Sequence, residues 1–292
     1  MRDYFRAVSY GALDIVTVHL PGTVGWKRAP QTYAYYVDAD NGFGTYPRNA
    51  QKLTEDAVIA ANAAVDFSQY DNDGDGYVDA LFIVHAGPGA EVTGRNRDIW
   101  SHAWSTITPI LLDGIYVSRY SMEPEYWLTA GDMTMGVYAH ELGHAGFGLP
   151  DLYDTDESSQ GLGNWSLMAS GSWNGASYPG GDSPAFPDVW SHMQMGYVTP
   201  TTVASNTLAA PLRAIETQPD AWKLWKYGSP GSEYFMVENR QLTGYDSALP
   251  GSGLLVYHVD ESVTTDNDRE WYPGQATTGH YLVALEQADG AW

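Results

Sequence analysis

Cysteine is absent from all 292 residues, which removes disulfides and thiolate metal sites together. Any transition metal bound here has only His, Asp, Glu or water for ligands. Zero cysteine fits many bacterial secreted proteins, although cytosolic proteins lack it too. Basic residues are scarce: 14 Lys and Arg stand against 36 Asp and Glu, a formal charge of -22. That balance argues against nucleic acid as a partner, because the phosphate term that dominates duplex binding is repulsive here. It fits high solubility and surface carboxylates that collect calcium. No run of 18 apolar residues occurs, so no membrane span is expected. The opening "MRDYFRAVSYGALDIVTV" lacks the apolar core and cleavage site of a signal peptide. "LVALEQADGAW" stops just after a strand-like run. The chain is then either intracellular or a piece of a longer secreted chain; the ending favours the second, with both ends expected to be cut and with room for a propeptide and for further C-terminal domains.

Apolar residues make up 43% of the chain, enough to core one large domain and part of a second. Residues 11 to 20 alternate as a strand does. "RNAQKLTEDAVIAANAAVD", 48 to 66, predicts an amphipathic helix with Leu53, Ala57, Ala60, Ala61 and Ala64 on its inner face. "ALFIVHAG" reads as a buried strand, and "DIWSHAW" and "GIYVSRYSM" as further strands. Helices are expected over 133–147 and, opened by a proline, over 184–196. Between them, residues 154–183 have loop composition. Beyond "YVTPTTVASNTL" the character turns to β, with strands in "EYFMVENRQ", "GLLVYHVD" and "HYLVALEQ". A boundary near Thr199 divides an α/β (α+β) part, residues 1–199, from a β-rich part, 200–292.

The chemistry concentrates in "VYAHELGHAGFGLPDLYD", residues 137–154. His140-Glu141-Leu142-Gly143-His144 fits H-E-x-x-H: positions i and i+4 share a helix face, so two imidazoles grip one ion. Glu141 reaches a water on that ion as general base. The apolar flank "MTMGVYA" buries the helix, and inward-facing histidines then need partners. A third protein ligand would leave one position for water. In metzincin-like zincins it follows a glycine three residues past the second His. Here Gly148 comes one residue later, after Ala145, Gly146 and Phe147, and the acidic residue is Asp151. A π-type bulge or a wider C-terminal turn would absorb the extra residue. Asp154 or water is the rival for that position.

Taken with "DNDGDGYVD", "VHAGPGAE", "IWSH", "NWSLMASGSWNG" and "PGSGLLVYHVD", this block resembles the immune inhibitor A family of bacterial secreted zinc metallopeptidases. The resemblance implies a zincin-like catalytic domain with His140, His144 and Asp151 as zinc ligands and Glu141 as base. It also makes "NWSLMASGSW" a Met-turn, with Met168 as an apolar floor beneath the metal. The expected activity is hydrolysis of peptide bonds in protein substrates, outside the cell.

Asp71, Asp73 and Asp75 alternate ahead of Gly76 as in an EF-hand, but the twelfth position holds Phe82. The reading is a non-EF calcium loop using Asp71, Asp73, Asp75, the Tyr77 carbonyl and Asp79, structural in role. Asp154, Asp156 and Glu157 would be a second one, or a solvated acidic loop. Two rival functions follow from the widened spacing and from the unknown bond preference. One is a non-catalytic calcium-binding adhesion module with a spoiled zinc site. The other is a zinc hydrolase acting on chain ends. Tyr178, His192 and His258 are the candidates for oxyanion stabilisation, none standing above the others.

Overall fold

Three strands of this chain bury charged side chains, Glu123, Glu238 with Arg240, and Asp260, among their apolar ones. The computed structural model describes residues 1–16, 25–155, 159–263, 267 and 281–288. The chain divides into two compact units: Val16–Gly148, and Met1–Ile15 together with Leu149–Trp292.

In the unit 16–148, strands β1 (Phe82–Pro88), β2 (His102–Leu112) and β3 (Ile115–Tyr126) form a sheet in the order β1-β3-β2. β1 runs parallel to β3, and β2 antiparallel to it. Asp113 and Gly114 join β2 to β3 with φ of 50° and 90°, the positive pair that a two-residue hairpin turn requires. "ALFIVHAG" does form a strand, but at the sheet edge, where only His85 is buried. A continuous apolar run is thus no guarantee of a central position.

Helices α1 (Arg2–Val8), α2 (Tyr33–Val37) and α3 (Ala50–Ala61) precede this sheet in sequence. α3 is shorter than its alanine-rich text suggests. Asn49 caps it, its Oδ1 accepting the Lys52 N–H at 3.1 Å. Its buried positions are Ala50, Gln51, Thr54 and Val58; of the predicted face, Leu53 packs partly buried against the core, while Ala57, Ala60, Ala61 and Ala64 are not buried. Larger side chains set the helix rotation: Val58 packs with Phe67, Val78, Ile115 and Val117, while Ala50 meets Val37, Ile99, Tyr120 and Met122. A short helix, α4 (Ala90–Thr93), follows β1. Helix α5 (Gly136–Phe147) closes this unit, buried at Val137, Ala139 to Gly143 and Ala145. Such all-round burial marks a core helix, and here it encloses a histidine and a glutamate. No described helix is long and apolar enough to cross a membrane.

The other unit contains α1, α6 (Val189–Gln194) and a five-stranded sheet: β4 (Thr201–Thr202), β5 (Trp222–Trp225), β6 (Glu233–Arg240), β7 (Gly253–Asp260) and β8 (Val283–Leu285), in chain order. The β-rich reading of residues beyond 199 holds. α6 is only the core of the predicted 184–196 helix. Asp188 caps it, its Oδ1 accepting the Ser191 N–H at 3.0 Å. The predicted strand over 11–20 is not formed in the described part, 11–16, and its remainder lies outside the described residues.

Strict alternation along β6 buries Tyr234, Met236, Glu238 and Arg240. Burial pushes the Glu238 carboxyl up to about 7, against the pull of Arg240 and of the Tyr257 hydroxyl that donates to Oε1 at 2.7 Å. A folded-state pKa raised from an ordinary 4.5 means the native chain binds the extra proton. Its stabilising contribution is complete below about pH 4.5 and is lost as pH rises through about 7. Glu238→Gln keeps the shape and the neutral state. Its melting temperature is expected to match wild type at pH 5 and exceed it at pH 8. A variant less stable than wild type at pH 8 would reverse that sign.

Candidate metal centre

Helix α5 carries the H-E-x-x-H residues as their spacing requires. His140 and His144 turn toward each other, their Nε2 atoms 3.0 Å apart and their rings nearly perpendicular at 4.6 Å between centroids. Two nitrogens each about 2.0–2.1 Å from a tetrahedral zinc ion would be roughly 3.3 Å apart, so the pair is close to a ligand edge. His140 and Glu141 are buried and His144 is half-buried.

The extra residue in "HAGFGLPD" leaves the helix α-helical through Phe147. Gly148 then ends it at φ 65°, its N–H reaching the carbonyls of both Gly143 and His144. This is a wider C-terminal turn rather than a π bulge inside the helix, and only glycine adopts that φ without cost. Leu149 and Pro150 follow. His140, His144 and Asp151 each offer a ligand atom, and the three atoms lie within 4.8 Å of one another. Two imidazoles and one carboxylate suit zinc by both charge and donor type. Asp154, the rival, is not in that group: its Oδ2 accepts the Ser159 N–H at 2.6 Å.

Met168 is fully buried in a tight turn. Its N–H donates to Ser166 Oγ at 3.1 Å, and Ser166 Oγ donates to Asp188 Oδ2 at 2.7 Å. Its carbonyl accepts the Leu152 N–H at 2.7 Å, so the Met168 turn supports the chain one residue past Asp151.

Two carboxyls escaped the sequence reading. Glu123 on β3 is fully buried, and burial pushes its pKa well above the carboxylate range. Ser121 Oγ donates to it, and the charges of Glu141 and Glu91 push it further up. Glu91 on α4 is also raised by burial and then by Glu141, while Ser101 donates to it through Oγ and, at 3.3 Å, through its N–H. Its signal lay in "GPGAE" and "IWSH", which this contact joins. Ala90 N–H also reaches the Ile99 carbonyl at 2.8 Å. Tyr138 fixes α5 to the same strand, donating its hydroxyl to the Pro124 carbonyl at 3.1 Å.

Among the oxyanion candidates, His192 is enclosed at 0% exposure and cannot touch a substrate. His258 pairs with Glu233 at 2.8 Å, while Tyr178 is largely exposed. In the acidic loop, Asp71, Asp73 and Asp79 each bring an oxygen within 4.8 Å of the others. Asp75 is outside that group, its Oδ1 accepting the Tyr77 N–H at 2.8 Å. Asp156 and Glu157 lie outside the described residues.

Residues 1–198 match the family model described as immune inhibitor A peptidase M6, catalytic domain. Immune inhibitor A of Bacillus thuringiensis subsp. alesti is 33% identical over 208 residues, 60% of this chain and 28% of that protein. The pre-pro-metalloprotease PrtV of Vibrio cholerae serotype O1 is 31% identical over 218 residues, 65% of this chain and 23% of that protein. The matched stretch thus spans less than a third of either relative. The chain belongs to the immune inhibitor A metallopeptidase family, whose catalytic-domain model its residues 1–198 match.

Proposed function

We propose that the protein is a zinc-dependent endopeptidase with His140, His144 and Asp151 as zinc ligands and Glu141 as general base. The observation that carries this is the convergence of the three ligand atoms within 4.8 Å, despite the extra residue before Gly148. Zinc, when bound, supplies a Lewis acid that lowers the pKa of a bound water to about 7. Glu141, next to the first ligand, takes a proton from the attacking water and returns it to the leaving amine nitrogen. The Met168 turn holds the segment that carries Asp151. Residues 1–199 form the catalytic part on this reading, and 200–292 begin a β-rich part.

The family and the pre-pro form in the Vibrio relative's name support protein substrates and an extracellular setting. The test is elemental analysis of purified protein beside casein degradation, for wild type and His144→Ala. The expected result is one zinc per wild-type chain with casein cleaved, and neither in the variant. Zinc-free wild type would favour the adhesion module. Zinc with turnover of short peptides only would favour action at chain ends.

The acidic loop is read as a structural calcium site using Asp71, Asp73 and Asp79, with Asp75 and the Tyr77 carbonyl next in line. Calcium at 100 times Kd would stabilise by about 2.7 kcal/mol, a rise of roughly 5–10 °C in melting temperature. Calorimetry of zinc-loaded protein with and without calcium measures this. An equal rise in an Asp71→Asn, Asp79→Asn double variant would exclude the loop as the source.

A further inference from the structure

The backbone that carries Asp151 is held by residues far along the chain, all within the unit that contains the five-stranded sheet. Leu152, the next residue, has both peptide groups occupied. Its N–H donates to the Met168 carbonyl at 2.7 Å, and its carbonyl accepts the Leu162 N–H at 2.9 Å. Space for the second bond depends on Gly161, at φ 52°, where an added Cβ would lie 2.5 Å from the Leu152 oxygen. A second donor reaches the same oxygen from beyond the catalytic-domain match. Asn267, fully buried, donates Nδ2 to Leu152 at 3.1 Å and to the Val283 carbonyl on β8 at 2.9 Å. Its Oδ1 accepts the Val283 N–H at 3.3 Å, and its own N–H donates to the Asp151 carbonyl at 3.4 Å.

A buried primary amide with both amide hydrogens and its oxygen used in this way is a two-sided clamp. Its oxygen and one hydrogen grip a strand edge and its other hydrogen grips the Leu152 carbonyl, while the backbone N–H of Asn267 holds the preceding carbonyl, that of Asp151. We propose that Asn267 is a positioning residue of the metal centre: it fixes the Asp151–Leu152 backbone to β8 so that the Asp151 carboxylate is pre-set for zinc. The last part of the metal centre's frame is then built by chain outside residues 1–198. The inference rests on Asp151 being the third zinc ligand. Orienting groups behind a ligand are worth about 10–100-fold in metal affinity, because a ligand left mobile must be ordered each time the ion binds.

The test uses the full chain with Asn267→Ala, Asn267→Ser and Asp151→Ala beside wild type. Zinc affinity is read by competition with a chromophoric chelator, ligand geometry by the visible bands of the cobalt-substituted protein, and fold by the melting temperature of the metal-free form. Asn267→Ala is expected to weaken zinc binding about 10–100-fold and to alter the cobalt bands. Asn267→Ser, which keeps one small donor, falls between it and wild type and is available if the alanine variant does not fold. A lower metal-free melting temperature with wild-type zinc affinity and cobalt bands would leave Asn267 a purely structural role and overturn the proposal. Asp151→Ala separates the two assignments. If it too leaves zinc affinity unchanged, the third-ligand assignment fails. If it weakens zinc binding while the Asn267 variants do not, only the clamp fails.

Discussion

Glu141→Gln is expected to lower kcat on casein or a peptide substrate by about 100- to 10,000-fold while zinc remains at one per chain. The change keeps the side chain's size and one carbonyl oxygen, and the facing imidazoles of His140 and His144 are untouched. What it removes is the ability to accept a proton. Zinc, when bound, would still acidify a water, but the glutamine offers no carboxylate to take the proton or to return it to the leaving amine. The fold should not suffer. Glu141 is buried and sits in a field of two other carboxyls, Glu91 and Glu123, both of which its charge pushes up. Removing one negative charge from that enclosure relieves repulsion, so the melting temperature should hold or rise. Steady-state kinetics, elemental analysis and calorimetry on the same preparation check the three parts. Activity within tenfold of wild type would dismiss Glu141 as the base.

The parts of this site that were legible in sequence are those set by local periodicity. A four-residue spacing on a helix puts His140 and His144 together whatever the rest of the chain does. The alternating aspartates of "DNDGDGYVD" likewise mark the acidic loop, although of its four expected aspartate ligands Asp71, Asp73 and Asp79 meet and Asp75 stands outside. Asp151 was harder, because its position depends on how the helix ends, and the αL turn at Gly148 is one of several endings the same letters allow. Glu123 was not visible at all. It occupies a strand position that an apolar residue could fill, and only the assembled sheet shows that the carboxyl is enclosed. The inner face of α3 was misjudged for a related reason. Alanines mark helix propensity but bury little area, so Val58 and its larger neighbours set the rotation. Asn267 lies more than a hundred residues from the carbonyl it holds, a separation no local pattern reports.

Arg240→Met should be the most destabilising single change outside the metal centre, by about 3–5 kcal/mol, equivalent to a melting-temperature drop of roughly 10 °C. Arg240 is fully buried, and each of its five N–H groups has an acceptor. Nε and Nη2 grip Asp246 at 2.8 and 2.7 Å, and Nη2 also donates to the Phe186 carbonyl at 3.3 Å. Nη1 serves the Trp165 carbonyl at 3.1 Å and Glu238 at 3.2 Å. Asp246 in turn accepts the Phe186 N–H at 2.8 Å. Removing the guanidinium leaves the buried Asp246 charge with no cation and two carbonyls with one donor fewer, which is why the cost exceeds that of losing an exposed ion pair. Arg240→Lys is expected to be nearly as damaging. An ammonium keeps the charge, but its three donors on one centre cannot span acceptors laid out for a planar fork. Thermal unfolding of both variants against wild type decides the matter. A lysine variant as stable as wild type would mean that charge alone, rather than the fork's geometry, holds this interior together.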